Sequence, residues 1–203
     1  MISRFEIKKT AMQVLSFDVG IRNLAFAVVE VNDADDVQCV RHWEVVDIVQ
    51  DNGSRAKNAR TIPLAKIVGY ICGSLDKRGH IFERVQSVAI EQQPAGRGPV
   101  SNIKCKVLSH TIQAWALGRG ISDVQFINPK MKTPGIKSYA DRKKAAVDKV
   151  NTILEQPGFR QWRPWYDGLK KKDDAADCLL QMCAWKRPRG VQAPSSRKRC
   201  RSS

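Results

Sequence analysis

Two apolar segments separated by a five-residue turn constrain the fold of this chain most strongly. Residues 13–18 and 24–31 are dominated by β-branched and aromatic side chains, which favour strands. The residues between them include Gly20 and Asn23, which accommodate a tight reversal of the backbone. The sequence therefore predicts an antiparallel β-hairpin whose first strand ends in a single carboxylate, Asp18.

The rest of the chain supplies further strands and helices. Apolar residues recur at strand or helix spacing, and turn residues separate these runs. The predicted strands lie within 37–49 and at 87–91 and 124–128, and the predicted helices lie at 62–75, 102–118, 173–185 and after Ser138, which with Asp141 resembles a capping box. This order predicts an α/β fold with a mixed sheet whose first three strands form an antiparallel meander. It fits a doubly wound nucleotide-binding fold poorly.

The segment GFRQWRPWYDG, residues 158–168, is rich in aromatic and basic side chains, and we predict a loop here. Trp162 and Trp165 can stack on unpaired nucleic-acid bases beside the neighbouring arginines. The interpretation we favour is packing in the core or against a second subunit, because large aromatic side chains contribute most when buried.

The charge balance indicates a polyanionic partner. The chain carries 35 Lys and Arg against 20 Asp and Glu, a formal net charge of +15. Seven of the basic residues fall in the acid-free tail 186–203, which leaves 28 basic against 20 acidic residues elsewhere. This excess favours nucleic acid or an anionic membrane surface as the partner. The tail either raises DNA affinity through counterion release or serves as a nuclear-import signal.

Length and composition predict three regions. With 203 residues, of which 42% are hydrophobic, the chain can bury one good core. We predict a flexible N-terminal arm at 1–11, one folded domain at 12–185 and a disordered basic tail at 186–203.

The compartment is predicted from cysteine usage and hydropathy. No stretch reaches the roughly 20 apolar residues of a membrane-spanning helix, and the start of the chain lacks the apolar core of a secretory signal. We therefore expect a soluble, intracellular protein without membrane contact. The six cysteines form no C-x-x-C pair and have no histidine at zinc-ligand spacing, so we predict reduced, structural thiols.

Four carboxylates are predicted to converge at one edge of the sheet. Asp18 and Glu91 each end a predicted strand, and ligands in open α/β sheets gather beyond the carboxyl ends of strands. Asp174 and Asp177 share one face of the closing helix, whereas Asp173 is predicted to point elsewhere and to cap that helix. Each acid alone has an ordinary explanation, as a turn residue, a solvated strand end or an N-terminal helix charge. Their joint occurrence in a basic chain indicates a site.

Converging carboxylates predict bound divalent cations, because such groups repel one another unless a cation lies between them. Hard oxygen ligands favour Mg²⁺, with Mn²⁺ as the alternative. Two such ions about 3.5–4 Å apart activate a water and stabilise the leaving oxygen in phosphodiester hydrolysis. The predicted ligands of two ions per site are Asp18, Glu91, Asp174 and Asp177.

Three motifs together resemble those of one enzyme family. FDVGIRNLAFAVVE, AIEQQP and KKDDAADCLLQ are similar to the three acidic motifs of Holliday junction resolvases in the ribonuclease H-like, RuvC-type superfamily. The IEQQ and KKDDxxD motifs resemble those of the poxvirus-type group most, followed by those of the fungal mitochondrial resolvases. The resemblance spans residues 12–185 and implies a ribonuclease H-like, mixed five-stranded sheet flanked by helices.

The resemblance also implies an activity and residue roles. Resolvases of this kind are homodimers in which each subunit cuts one strand of a four-way DNA junction with divalent metal. The implied catalytic acids are Asp18, Glu91, Asp174 and Asp177. The family's basic residue near the scissile phosphate corresponds to Lys143 or Lys144, with Lys132 as the competitor, and it would stabilise charge in the transition state. The residues predicted to contact DNA are Arg22, Asn23, Arg97, Lys130, Lys132 and Arg142.

Three other functions remain open on the sequence. A related ribonuclease H-like nuclease would act on RNA, RNA–DNA hybrids or flaps. The D-x-G-x-x-N hairpin also opens the actin and sugar-kinase fold, although this chain is short for two such lobes. A basic DNA-packaging or junction-binding module with structural acids would be non-enzymatic. We predict a viral replication site in the host cell as the place of action, with the nucleus or the mitochondrion as alternatives.

Overall fold

The computed structural model describes residues 11–93, 100–132, 135–136 and 138–186, with the backbone alone at 60, 100–102, 139 and 184. The predicted N-terminal arm and basic tail therefore lie almost entirely outside the described residues. Within the described part of the chain, none of the helices combines the length and the apolar character needed to cross a membrane.

A five-stranded mixed sheet forms the centre of the protein, as predicted. Its strands are β1 (Met12–Asp18), β2 (Leu24–Val31), β3 (Val37–Val46), β4 (Val85–Glu91) and β5 (Asp123–Ile127), in the spatial order β3-β2-β1-β4-β5. The first three strands form the predicted antiparallel meander, while β4 pairs parallel with both β1 and β5. The carboxyl ends of β1, β4 and β5 therefore lie at the same edge of the sheet.

Helices cover both faces of the sheet. They are α1 (Ile48–Asp51), α2 (Leu64–Lys77), α3 (Val100–Gly118), α4 (Tyr139–Ile153), α5 (Arg163–Gly168) and α6 (Asp173–Ala184). Leu15 and Phe17 of β1 belong to a buried cluster with α2 and α3, whereas Val14 belongs to a second cluster with α4 and α6. Because the central strands are buried on both faces, their sequences are apolar almost throughout.

The prediction for the third strand is confirmed, whereas the prediction for residues 158–168 is wrong. The third strand lies within residues 37–49 and ends at Val46, because the Asp47 carboxylate accepts hydrogen bonds from the backbone N–H groups of Val49 and Gln50 and so begins α1. The predicted loop 158–168 instead contains a 3₁₀ turn, Arg160–Trp162, followed by α5. Its proline lies in the first turn of α5, where a helix tolerates the missing N–H.

The tryptophans of this segment are half-buried and pack against the core, which agrees with the packing interpretation that we favoured. Trp162 donates its indole N–H to the carbonyl of Val40 on β3 at 2.9 Å. Trp165 packs on Trp43 with ring centroids 5.0 Å apart, and Tyr166 stacks on the same indole at 5.3 Å. The indole of Trp43 in turn donates to the carbonyl of Ala175 at 3.2 Å. This aromatic cluster fixes the start of α6 against the sheet.

A charged network on the other face of the sheet makes stability depend on pH. Arg78, which caps the carboxyl end of α2, contacts both carboxylate oxygens of Glu44 on β3, at 2.7 and 3.0 Å, and Asp51 at 3.0 Å. Burial disfavours the charge of Glu44, but hydrogen bonds from His42 and Arg78 outweigh it and lower the pKa of Glu44 to about 2. The unfolded chain protonates this carboxyl near its ordinary value of 4.5.

The depressed pKa of Glu44 predicts a loss of stability on the acid side. Its contribution is complete above pH 4.5 and declines as the pH falls towards 2, because the unfolded state then binds the proton more readily. Glu44→Gln should therefore flatten the decline of the unfolding free energy over this window in urea titrations. Glu83→Gln, a change at an exposed glutamate, is the control and should keep the wild-type slope. Identical slopes in all three proteins would contradict the assignment.

Candidate active site at the carboxyl ends of the parallel strands

A cavity of about 520 Å³ opens at the edge of the sheet where β1 and β4 end. It is lined by acidic and basic side chains in equal number. The acids are Asp18, Glu91, Asp173, Asp174 and Asp177, and the bases are Arg22, Lys132, Arg142, Lys143 and Lys171. The structure thus brings the four predicted acids together and adds a fifth.

The parallel pairing of β1 and β4 places the first two acids side by side. Phe17 and Ile90 are partners in the register, so Asp18 and Glu91 follow at the same level. Side chains alternate between the faces of a strand, and Ser16 bonds to the carbonyl of Cys178 on α6. Asp18, two residues further, therefore lies on the face of the sheet that α6 covers.

Asp18 and Glu91 behave as one acidic pair. Burial and the neighbouring Glu91 carboxyl raise the pKa of Asp18 well above its ordinary value. Burial also disfavours the charge of Glu91, but a hydrogen bond with Asp18 and the Lys132 ammonium outweigh it and lower the pKa of Glu91. The two carboxyl groups therefore differ in acidity, and Asp18 holds a proton more tightly than Glu91 does.

Lys132 supplies the cation inside this acidic group. Its Nζ lies 3.2 Å from Glu91 Oε1 and 3.7 Å from Asp177 Oδ2, and only 4% of its side chain is exposed. Burial opposes the ammonium charge, yet Asp18, Glu91 and Asp177 together raise the pKa of Lys132. A 3₁₀ turn after β5, Pro129–Met131, capped by Asn128, positions it. Among the three lysines that the sequence left open, this one contacts the predicted catalytic acids.

The first two turns of α6 contribute three carboxylates, Asp173, Asp174 and Asp177. Asp177 is half-buried, and burial together with the neighbouring carboxylates raises its pKa against the opposing charge of Lys132. Asp174 pairs with Lys171 at 2.6 Å. The prediction that Asp173 caps the helix is wrong: Lys172 occupies the N-cap position without a side-chain capping hydrogen bond, and Asp173 is the first helical residue.

Asp173 is the site residue that the sequence interpretation missed. It lines the cavity and forms an ion pair with Lys143 of α4. Burial disfavours its charge, but Lys143 and Lys171 outweigh that effect and lower the pKa of Asp173. Its spacing of four residues from Asp177, which places both on one helix face, was the available signal.

The remaining predicted residues fall into three groups. Lys143, Arg22, Asn23 and Arg142 line the cavity. Lys144 and Lys130 are exposed and do not line it, because they lie on the solvent sides of α4 and of the turn after β5. The predicted DNA contact Arg97 lies outside the described residues.

The donor chemistry of the cavity suits a hard divalent cation. The candidate ligands in the cavity are carboxylate oxygens, which are hard donors. Asp18 and Glu91 already have a positive charge next to them, the ammonium group of Lys132. As the side chains are placed, no three Asp, Glu, His or Cys residues of the described chain are grouped closely enough to hold an ion. Ammonium groups of Lys132 and Lys171 occupy positions next to the carboxylate oxygens, so metal binding requires these side chains to rotate.

Three solved structures share this architecture. Thermus thermophilus RuvC in complex with a Holliday junction substrate has a TM-score of 0.56 and 21% identity, covering 85% of this chain and 93% of that chain. The fowlpox virus resolvase with Holliday junction DNA has a TM-score of 0.57 and 20% identity, covering 85% and 95%. The yeast mitochondrial Holliday junction resolvase has a TM-score of 0.59 and 18% identity, covering 86% and 78%. These likenesses confirm the predicted RuvC-type fold.

A family model described as "Poxvirus A22 protein" matches residues 12–185, which include the whole sheet and every acid of the cavity. The match has the bounds of the folded domain predicted from the sequence, and it confirms the resemblance read from the three acidic motifs. A sequence comparison with curated proteins found no match.

Proposed function

The chain belongs to the poxvirus A22 protein family, and we propose that it is a divalent-metal-dependent endonuclease that resolves four-way DNA junctions by paired strand cleavage. One observation carries the proposal: Asp18, Glu91 and Asp177, which are far apart in the sequence, surround the buried Lys132 in one cavity. The scaffold that holds them is shared with proteins described as Holliday junction resolvases. Family membership supports a viral replication site as the place of action.

Each acid has a distinct part in the proposed chemistry. Asp18, Glu91, Asp174 and Asp177 would hold Mg²⁺, or Mn²⁺ in its place, and two ions so held would supply an activated water and a neutralised leaving oxygen. Metal binding requires the ionised carboxylate, so the raised pKa of Asp18 should make metal binding weaker at low pH. Asp173 holds Lys143 at the rim of the cavity rather than facing the buried pair.

Lys132 is the basic residue we assign to the scissile phosphate. It is buried and remains charged next to Glu91. If the carboxylates bind divalent metal ions, they would no longer hold the Lys132 ammonium group. That group could then move towards the cavity and stabilise the charge that develops on the phosphoryl oxygens. Lys143, Arg142 and Arg22, at the walls of the same cavity, are proposed to position the DNA backbone.

The direct test is cleavage of a labelled four-way junction by the purified protein, with and without Mg²⁺, with both nicks mapped. We expect no cleavage in EDTA and paired, symmetric nicks with the metal. An RNA–DNA hybrid of equal length is the comparison substrate, and preferential cleavage of the hybrid would favour the nuclease alternative. Junction binding without any scission would instead favour a non-enzymatic binding module.

Paired cleavage requires two subunits. We propose a homodimer whose subunits contact each other through α3. Ile103 and Leu117 are 56% and 49% exposed, and they lie four helical turns apart on nearly the same face. Light scattering should give twice the chain mass of 22.8 kDa for the wild type and the monomer mass for the double change Ile103→Glu and Leu117→Glu. Leu64→Glu on α2 is the control for adding a charge at an exposed apolar position. A wild-type protein that stays monomeric at all concentrations would contradict this proposal.

A further inference from the structure

A second groove, of about 710 Å³, adjoins the active-site cavity. Arg22, on the turn between β1 and β2, lines both. The other lining residues are Asp47, which caps α1, Gln50 of α1 and residues 53–57 of the loop that follows α1. Among them Arg55 and Lys57 are exposed, and neither forms an ion pair with another described residue.

The loop that carries these two cations is held in place by Arg22. The Arg22 guanidinium pairs with Asp47 Oδ2 at 2.8 Å and donates to the carbonyl of Ala56, between Arg55 and Lys57. Asp47 Oδ1 accepts from the backbone of α1, so the acid in this groove is already engaged on both oxygens. The net effect is a fixed loop that presents positive charge next to the active-site cavity.

We propose that this groove binds the sugar–phosphate backbone of a DNA arm that leaves the active site. The inference rests on the proposed function, and it adds a contact surface that the acidic motifs do not indicate. Two exposed cations that pair with no acid of the described part of the chain, on a tethered loop, match a polyanion, and sharing Arg22 makes the surface continuous with the proposed cleavage site. Such contacts would position DNA without reading its sequence.

Charge reversal tests the groove. Fluorescence anisotropy in EDTA should show that Arg55→Glu and Lys57→Glu each weaken four-way junction binding about tenfold, and that each lowers the salt slope of log Kd by about 1. Arg84→Glu is the control, because Arg84 is exposed just before β4 begins, at the opposite edge of the sheet. Equal losses of junction affinity in all three variants, or no loss in the first two, would contradict the proposed role of the groove in DNA binding. Failure of the wild type to bind junctions would contradict the proposed function itself.

A separate observation concerns Gln181, which is fully buried on α6 one turn after Asp177. Its side-chain Nε2 donates to the carbonyl of Ala89 at 2.9 Å, to Ser16 Oγ at 3.1 Å and to the carbonyl of Phe17 at 3.3 Å. Phe17 immediately precedes Asp18, and Ala89 lies two residues before Glu91. One amide thus joins the three elements that carry the acids.

We infer that Gln181 is a positioning residue that fixes α6 relative to β1 and β4, and so fixes the spacing of the carboxylates. The physical reason is that Nε2 bonds main-chain atoms in both strands, so a shift of α6 would break buried hydrogen bonds on two sides. Its Oε1 has no hydrogen-bond partner among the described residues. The hydrogen bonds that hold the Gln181 side chain are therefore those that Nε2 donates.

Measuring Mn²⁺ affinity distinguishes a residue that positions the carboxylates from one that only stabilises the fold. Electron paramagnetic resonance of free Mn²⁺ should show about tenfold weaker binding to Gln181→Met than to the wild type, on the scale of losing a group that orients ligands. Ser16→Ala removes one of the three acceptors and should give an intermediate loss. Ser74→Ala, a change at an equally buried serine that accepts from Asn52 far from the cavity, should leave Mn²⁺ binding unchanged.

Thermal unfolding of the same variants completes the comparison. Gln181→Met and Ser74→Ala can both lower the melting temperature, but only the former should change Mn²⁺ affinity. Wild-type Mn²⁺ affinity in Gln181→Met would overturn the positioning role and leave the proposed function standing. Absence of Mn²⁺ binding by the wild type would contradict the metal dependence in the proposed function.

Discussion

Asp18→Asn should abolish strand cleavage, by about 10³-fold or more, while junction binding and folding persist. The magnitude is that of losing a principal electrostatic partner of the transition state. Folding should persist because burial and the neighbouring Glu91 carboxyl already disfavour the charged form of Asp18, and asparagine is a neutral side chain of nearly the same shape. Single-turnover cleavage of a labelled junction with Mg²⁺, together with anisotropy in EDTA, measures both effects.

The matched control for this change is Asp76→Asn. Asp76 is 60% exposed on α2 and pairs with Arg119, remote from the carboxylates of the cavity. It should leave cleavage within twofold of the wild type. Cleavage by Asp18→Asn at a rate near that of the wild type would remove Asp18 from the proposed ligand set. Loss of binding with retained cleavage would reverse the roles that we assign to the acids and the surrounding bases.

The positions of Asp18 and Glu91 could be predicted because they depend on local pattern. Each follows an apolar run that reads as a strand, and parallel strands end at a common edge of a sheet. Asp174 and Asp177 followed from helical spacing in the same way. These four acids are therefore encoded within short windows of sequence, and the fold has only to bring the windows together.

The role of Lys132 was not accessible to the same reasoning. Its contact with Glu91 joins residues 41 positions apart and depends on a 3₁₀ turn whose three residues give no periodic signal. The sequence interpretation instead favoured Lys143 and Lys144, at the start of a recognisable helix. Asp173 was misassigned for a related reason, because an acid at the beginning of a helix usually serves the helix itself. Here its partner, Lys143, comes from another helix.

Lys132→Met should lower the cleavage rate by about 10²–10³-fold and also destabilise the metal-free protein by about 3 kcal/mol. The stability loss arises because Glu91 and Asp177 keep their burial but lose the cation between them. With that cation gone, the pKa values of Asp18 and Asp177, which burial already raises, should rise further, because Lys132 lowers both. A carboxyl whose pKa is raised on folding favours the folded state at low pH and opposes it as the pH rises.

The variant should therefore be less stable at pH 8 than at pH 5 in EDTA, relative to the wild type, when unfolding is followed in urea. Mg²⁺ should then raise its melting temperature by more than that of the wild type, because a divalent ion replaces the missing ammonium charge. Lys143→Met is the control at the rim, where the side chain is 36% exposed and pairs with Asp173, and it should show neither the pH effect nor the larger response to Mg²⁺. Two results together would contradict this assignment: a greater loss of cleavage in Lys143→Met, and a stability of Lys132→Met that does not depend on Mg²⁺. The catalytic lysine would then be Lys143 on α4, and Lys132 would serve only to neutralise the buried acids.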